Sequence, residues 1–233
     1  MTQSASIPST RSRLPTLLAV AAMMAVSFGA QAQSAGTLML RGGVTQISPN
    51  VNSGDLTAPS FVGTKADIKS NTQLGGGISY MLTDNVAIDI PLALPFKHEI
   101  DGAGAIAGTG KIGEVRSLPI TLFGQYRFLD AKSPFRPYLG AGLTYAKFYK
   151  AKSTAVFSAL TGGTPANPTT LSVKSKFAAT VEVGGIYSFT QNWFLEGFVA
   201  RTFLKTRTSL STGQTLDTTL NPNTYSLAVG YAF

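Results

Sequence analysis

The chain of 233 residues contains no cysteine, a single histidine and 13% charged residues, about half the usual charged share. The lack of cysteine excludes a disulfide, a thiolate metal site and a cysteine nucleophile. A single histidine leaves little room for a histidine metal cluster, so we expect no metal and no cofactor. Hydrophobic residues form an ordinary 44% of the chain, which argues against disorder, because disordered chains combine low hydrophobicity with high charge.

Long uncharged apolar runs are also lacking, except near the amino terminus. There, Arg11 and Arg13 are followed by an almost wholly apolar stretch, 14–28, and then by Ala30-Gln31-Ala32. This order is typical of a secretory signal peptide, which we assign to residues 1–32. A membrane anchor is the alternative, but the apolar run is short for a span of ~20 residues.

Alternating side chains dominate residues 33–233, which we interpret as one domain. In the last segment Tyr225, Leu227, Val229 and Tyr231 alternate with small or polar residues, which indicates a strand with one apolar face. The same period of two recurs in seven further segments. The eight predicted strands are residues 37–47, 72–82, 86–100, 114–128, 135–149, 175–189, 193–206 and 218–233.

The connections between these strands alternate in length. Three are tight turns, and the other four are long and rich in Gly, Ser, Thr and Pro. Short turns at one end and long loops at the other are typical of outer-membrane barrels, and each strand is long enough to cross. We therefore predict an all-β fold, an eight-stranded antiparallel transmembrane β-barrel in the outer membrane of a Gram-negative bacterium.

A soluble barrel of the lipocalin type is the alternative, with the same alternation but with its apolar face inward. The small, Gly-rich polar faces would make a poor wetted exterior, so we expect the apolar faces to point outward into lipid. Aromatic residues near strand ends support this, because interfacial girdles require them. They are Tyr80, Phe96, Tyr126, Phe128, Tyr145, Tyr187, Trp193, Tyr225 and Phe233.

Positive charge concentrates at the long-loop end. Thirteen lysines and arginines lie there against six acidic residues, whereas the other end is nearly balanced. We interpret this rim as a surface that binds lipopolysaccharide phosphates, with general solvation of the loops as the alternative. The rim residues are Lys147, Lys150, Lys152, Lys174, Lys176, Lys205 and Arg207. Nucleic acid is not an expected partner of an exported barrel.

Polar side chains are predicted to close the lumen near the short turns. Eight strands enclose a space just wide enough for side chains or one small ligand. Opposite charges there should pair, because an unpaired buried charge is costly. The predicted plug comprises Arg41, Asp89, Gln125, Arg127, Glu182 and Glu196. The inward face of residues 193–204 is left open, since Glu196 and Arg201 have opposite parity. We expect Glu196 inside and Trp193 at the lipid boundary.

Three prolines predict a weak place in the wall. Pro91 and Pro95 lie in the third predicted strand and Pro119 in the fourth. Proline cannot donate a ladder hydrogen bond, and a closed barrel has no free edge on which to place it. We therefore predict a lateral window between these strands. The alternative is that bulges absorb the prolines without a gap.

Several stretches resemble the OmpW/AlkL family of outer-membrane proteins. The most specific are Leu94-Pro95-Phe96-Lys97-His98-Glu99-Ile100 and Phe135-Arg136-Pro137-Tyr138-Leu139-Gly140-Ala141-Gly142, with Asn71-Thr72-Gln73-Leu74-Gly75, Asp84-Asn85, Leu118-Pro119 and Gln125-Tyr126-Arg127-Phe128 in support. The resemblance implies a narrow hydrophobic channel open outward, from which small apolar compounds leave sideways into the membrane. It specifies neither the cargo nor a gate residue.

These observations favour a passive channel for small hydrophobic molecules, with outer-membrane lipid and lipopolysaccharide as further partners. A non-transporting surface barrel or receptor is the main alternative. A lipid-modifying enzyme is disfavoured, because His98 has no evident nucleophile nearby and we expect it at the rim, paired with a carboxylate or lipid. A barrel this small is expected to be a monomer.

Overall fold

The computed structural model describes residues 33–233, so the predicted signal peptide, 1–32, lies outside the described part. Fourteen strands and one short helix make up this region. In chain order they are β1 (Leu38–Ser48), β2 (Asn52–Ser53), β3 (Thr64–Ile68), β4 (Asn71–Met81), β5 (Val86–Ala93), β6 (Phe96–Gly104), β7 (Lys111–Arg127), β8 (Phe135–Ser153), α1 (Ala155–Leu160), β9 (Leu171–Val173), β10 (Lys176–Ser188), β11 (Trp193–Thr202), β12 (Lys205–Leu210), β13 (Thr215–Thr219) and β14 (Asn223–Ala232).

The predicted barrel is confirmed. Eight barrel strands close in the order β1, β4, β5, β7, β8, β10, β11 and β14, and β14 pairs with β1 again. Strand β6 continues β5 after a break, so the two count as one barrel strand. All of these pairings are antiparallel. Among residues 33–233, no helix has the length and apolar character needed to span a membrane.

The apolar faces point outward, as predicted. Leu227 and Val229 are exposed on β14, whereas Ala228 and Ala232 between and beyond them are buried. Exposed large apolar side chains recur on every barrel strand, while the lumen holds most of the buried charged residues. An exterior of this kind is stable only in hydrocarbon, because such an apolar area is far larger than soluble proteins expose.

The barrel wall extends beyond the membrane at the long-loop end, a region that the sequence predicts as loops. There β2, β13, β12 and β9 form a second, four-stranded sheet, and β3 pairs with β6. A cluster of nine buried apolar residues fills the space beneath them. They are Leu56, Ala66, Ile100, Ile106, Ile112, Val115, Phe157, Leu210 and Leu216. These residues, with α1, form what we call the cap.

Closure of the barrel depends on a glycine where the first and last strands meet. Gly43 of β1 lies opposite Ala228 of β14, and a Cβ at Gly43 would lie 2.1 Å from the Leu227 carbonyl oxygen. A Cβ at the neighbouring Gly42 meets nothing within 4 Å. The close approach of the two strands therefore requires glycine at position 43 but not at position 42.

We expect Gly43→Ala to lower the free energy of unfolding by about 1–3 kcal/mol or more, because the added methyl forces β1 and β14 apart. Gly42→Ala is the matched control and should leave it nearly unchanged. Urea titration in lipid vesicles, followed by the fluorescence of the single tryptophan, Trp193, measures both variants. Equal stability of the two variants would contradict the packing argument.

Candidate functional site

The floor of the lumen is built around one arginine. Arg41 donates from Nη1 and Nη2 to the two carboxylate oxygens of Asp89, at 2.7 and 2.9 Å, and its Nε lies 3.3 Å from Glu196 Oε2. Ser79 donates its hydroxyl to Asp89, and Tyr138 donates to Glu196 Oε1 at 2.6 Å. All five side chains are buried. We call Arg41, Asp89 and Glu196 the floor triad.

The other predicted plug residues are joined through an amide and do not form a second ion pair. Gln125 donates from Nε2 to Glu182 Oε1 at 2.8 Å, and its Oε1 accepts from Arg127 Nη2 at 3.2 Å. Arg127 has no carboxylate within salt-bridge distance among residues 33–233; its Nη1 also lies 3.3 Å from Gln33 Oε1 and 2.9 Å from Met39 Sδ. The expectation that all opposite charges pair is therefore wrong for Arg127 and Glu182, because Gln125 stands between them.

A further arginine, which is not among the predicted plug residues, holds the two turns and the segment before β1 together at the short-turn end. Arg136 is fully buried and donates to the backbone carbonyls of Gln33, Asp84, Phe128 and Leu129, at 2.6–3.1 Å. These carbonyls belong to two turns and to the segment before β1. No local pattern signals such contacts, because they join parts of the chain that are far apart in sequence.

The middle of the lumen carries a row of threonines that satisfy one another. Thr121 and Thr144 are 2.8 Å apart at their hydroxyl oxygens, Thr144 and Thr180 are 2.5 Å apart, and Thr180 and Thr202 are 3.0 Å apart. The four threonines lie on four consecutive barrel strands, β7, β8, β10 and β11. Because these hydroxyls bond to one another, little unpaired polarity is left at this level of the lumen.

Three small adjoining cavities occupy the lumen above the floor. The lower cavity, about 50 Å³, lies among Pro91, Leu92, Pro119, Thr121 and Phe198. The middle cavity, about 60 Å³, shares Ile47, Pro119, Thr202 and Thr224 with it, and is otherwise mostly apolar. The outer cavity, about 50 Å³, shares Ile68 with the middle one and lies inside the cap, against Leu56, Ile112 and Phe157.

Helix α1 covers the outer cavity. Thr154 caps its first turn, since the Thr154 hydroxyl accepts from Phe157 N at 3.3 Å, and the Phe157 ring is buried in the cap. The loop after the helix is fixed to it by Thr169, whose backbone N donates to Ser158 Oγ at 2.9 Å. Phe157 is thus the residue that helix α1 contributes to the lining of the outer cavity.

The wall is interrupted where the prolines lie. Pairing of β5 with β7 stops at Asp89 with Phe123, and pairing of β6 with β7 resumes only at Phe96 with Ser117. The opposite edges of the same strands stay paired. Pro91 of β5 pairs with Gly77 of β4, and Pro119 of β7 pairs with Ala146 of β8. We call this unpaired stretch, residues 90–95 facing 118–122, the seam.

Two residues near the seam were assigned to the wrong surface. Phe96 was expected in the outer aromatic girdle, yet it is 0% exposed and lines the lower cavity, because the strand breaks at Leu94 and Pro95 and the alternation shifts by one. His98 was expected at the rim beside a carboxylate. It is buried instead, lines the middle cavity, and bonds through Nδ1 to the Lys69 carbonyl at 2.9 Å.

The seven predicted rim residues are all exposed at the long-loop end. Lys174, Lys176, Lys205 and Arg207 surround one groove on the four-stranded sheet, while Lys147, Lys150 and Lys152 follow one another along β8. Only Arg207 has a carboxylate within 4.0 Å among residues 33–233, namely Asp217. By contrast, Lys69, Lys97 and Lys111, on the side of β3, β6 and β7, each have a carboxylate 2.9 Å away.

The structure also shows which face of β11 points into the lumen, a question that the sequence leaves open. Glu196 faces the lumen, Trp193 is exposed on the outer surface, and Arg201 lies on the outer face and donates to Asn223 Oδ1 at 2.9 Å. Tyr138, which supports Glu196, was not singled out from the sequence. Tyr138 alternates in phase with Gly140 and Gly142 of the same predicted strand, and this phase was the available signal that its side chain faces the lumen.

Comparisons with known proteins agree with this architecture. The family model described as the OmpW family matches residues 34–233. Outer membrane protein W of Vibrio cholerae is 33% identical over 87% of this chain and 91% of its own length, and outer membrane protein AlkL of Ectopseudomonas oleovorans is 26% identical over 77% and 75%. The crystal structure of OprG from Pseudomonas aeruginosa superimposes with a TM-score of 0.77 at 27% identity, covering 88% of this chain and 99% of that one.

Proposed function

This chain belongs to the OmpW family of outer-membrane proteins, and on that premise we propose that it carries small hydrophobic molecules passively from the cell exterior into the outer membrane. As a member of that family it is an outer-membrane barrel and not an enzyme. Its short turns face the periplasm and its long-loop end faces outward, as in other such barrels.

The observation that carries the proposal is an exterior residue that also lines the lumen. Leu92 is 52% exposed on the lipid-facing surface, and it forms part of the lower cavity. Leu92 lies in the middle of the seam, where neither β5 nor β6 pairs with β7. An apolar solute in the lower cavity is therefore separated from the bilayer by side chains alone, without ladder hydrogen bonds.

The chemistry of the path favours apolar cargo. The three cavities are lined mainly by aliphatic and aromatic side chains and by threonines. In the lower and middle cavities the hydroxyls of Thr121, Thr144, Thr180 and Thr202 are bonded to one another. A solute gains free energy from leaving water at roughly 25 cal/mol per Å² of apolar surface. Release into lipid then costs little, because one apolar surrounding replaces another.

The floor directs the solute sideways. The floor triad, Gln125 and Arg127 fill the lumen below the lower cavity with bonded polar groups, and Arg136 fastens the turns beneath them. An apolar molecule cannot displace the floor triad without leaving buried charges unpaired, which costs several kcal/mol. The seam is the path of lower cost.

Passage requires the cap to open. Cavities of about 50–60 Å³ hold no more than a few water molecules, so side chains must move to admit a solute. Helix α1 is short, and Phe157 is its main buried anchor. We propose that movement of this helix opens the outer cavity.

The small volume of these cavities also favours the second candidate, a non-transporting surface barrel or receptor. In that function the cap stays closed and its exposed loops make the contacts. Uptake experiments separate the two functions, because only a channel depends on the size of side chains inside the lumen.

We expect cells that contain the protein to take up an n-alkane faster than cells without it, and Ala200→Phe to abolish the difference. Ala200 is buried in the lower cavity, where the added ring would fill the path. The matched control is Ala141→Phe, whose side chain lies on the exposed face of β8 and should leave uptake unchanged. Equal uptake with and without the protein, or by the two variants, would favour the non-transporting surface barrel.

A further inference from the structure

The outward face of the four-stranded sheet carries a concentrated positive charge, with four cations against one carboxylate. Lys174, Lys176, Lys205 and Arg207 surround an open groove of about 640 Å³, with Asp217 as the single carboxylate among its lining residues. We propose that this groove binds the phosphate groups of lipid A, the bisphosphorylated lipid of the outer leaflet. The inference depends on the outer-membrane location of the barrel and is independent of whether the barrel transports anything.

Unpaired lysines distinguish this side of the rim, where the groove adjoins Lys147, Lys150 and Lys152 of β8, from the side of β3, β6 and β7. Among residues 33–233, no carboxylate oxygen lies within 4.0 Å of the Lys174, Lys176 or Lys205 ammonium groups. Lys69, Lys97 and Lys111 are neutralised by Asp101, Glu114 and Glu99. Unpaired lysine charge is therefore concentrated on the side of β8, β9 and β12.

The cations are also held close together by backbone pairing. Lys174 N donates to the Arg207 carbonyl at 2.9 Å, which sets these two residues beside each other on neighbouring strands, and Lys205 lies two residues along from Arg207. Like charges on adjacent strands destabilise a sheet unless an anion lies between them. Arg207 donates two hydrogen bonds of 2.6 Å to Asp217. These bonds and the charges of Arg207 and Lys176 lower the pKa of Asp217, so this one carboxylate interacts with two of the cations.

The level of the groove relative to the bilayer matches a lipid phosphate. Phe177 and Phe203 are exposed on the outer surface, and the Phe177 ring contacts Tyr145 with centroids 4.8 Å apart, as in an interfacial girdle. Lys176 directly precedes Phe177, and Lys205 lies two residues beyond Phe203, roughly 7 Å farther along the strand. Phosphates of the outer leaflet lie just above such aromatic residues, at the height of these ammonium groups.

The groove is well separated from the seam. It stands over β10 and β11, whereas the seam lies between β5 and β7, and β8 intervenes on the shorter path around the barrel. Lys147 extends the cationic surface toward β8, since it follows Ala146, the partner of Lys176. Lipid A bound here would leave the exterior of the seam free.

The test compares lipid A binding by two variants that lose the same charge. We expect Lys174→Gln, Lys176→Gln and Lys205→Gln together to weaken binding about a hundredfold, at about fivefold per lysine near an anionic surface. The control combines Lys69→Gln, Lys97→Gln and Lys111→Gln, which removes three neutralised lysines and should weaken binding only a few-fold. Native mass spectrometry of protein titrated with lipid A in detergent micelles measures both.

A gain of affinity provides the second arm. We expect Asp217→Asn to tighten lipid A binding several-fold, because it removes the one carboxylate of the groove and frees Arg207. Monophosphoryl lipid A should bind more weakly than lipid A, and phosphatidylglycerol and inorganic phosphate more weakly still. Equal losses in the two triple variants, weaker binding by Asp217→Asn, or equal binding of phosphatidylglycerol or inorganic phosphate would each overturn the proposal.

Discussion

Covalent bridging of the seam is expected to reduce the uptake of an apolar solute to that of cells without the protein. Leu92 and Ile120 lie on opposite sides of the seam, and both are exposed on the lipid-facing surface. A short bismaleimide that joins Leu92→Cys to Ile120→Cys would hold the two strands together in place of the missing ladder. If the seam is the exit, the whole increment of uptake due to the protein is lost.

The chain offers a clean background and a close control for this experiment. It contains no cysteine of its own, so the reagent can join only the introduced thiols. In the control, Val44→Cys and Leu227→Cys place the bridge across β1 and β14, where the ladder is continuous and Val44 already pairs with Leu227. Cross-linking there should leave uptake unchanged. Undiminished uptake with a fully cross-linked seam would contradict lateral release there.

The second large effect concerns the floor triad. Removal of its cation by Arg41→Met leaves Asp89 and Glu196 buried without their counter-charge, and we expect this to lower the free energy of unfolding by about 3–5 kcal/mol. Asp89→Asn should cost less, because Glu196 still balances Arg41 and the amide still accepts from Ser79. Urea titration in lipid vesicles measures both variants.

An exposed ion pair serves as the comparison. Lys65 and Asp55 lie 3.1 Å apart at the rim with about half of each side chain in solvent, so Lys65→Met should change the stability very little. If Arg41→Met proves no more costly than Lys65→Met, the floor is hydrated and does not act as a dry plug. In that case small polar solutes should also leak through the barrel.

Some features of the barrel were predictable because they are local. Alternation along β14, from Tyr225 to Tyr231, shows one apolar face wherever that strand is placed, and tight turns fix which strands are neighbours. The prolines at positions 91, 95 and 119 marked the interrupted pairing for a similar reason, since a missing N–H is a property of the residue itself. The cationic rim followed from the position of its lysines along the chain.

Other features escaped the sequence because they depend on register. The phase of Phe96 changed at a strand break, and a period-two pattern carries no information about where it is interrupted. The cap residue Phe157 lies in a loop region of unremarkable composition, and its burial arises only when segments from four connections meet.

The sequence by itself determined that this chain is a lipid-facing barrel with a weak seam and one positive end, since these follow from periodicity, proline and charge order. Only the tertiary structure decided which charges meet. Arg41 pairs with Asp89 and Glu196, whereas Arg127 reaches Glu182 only through Gln125. The physical reason is that a salt bridge requires a few ångströms between groups that lie tens to more than a hundred residues apart, and only the closure of the barrel sets those distances.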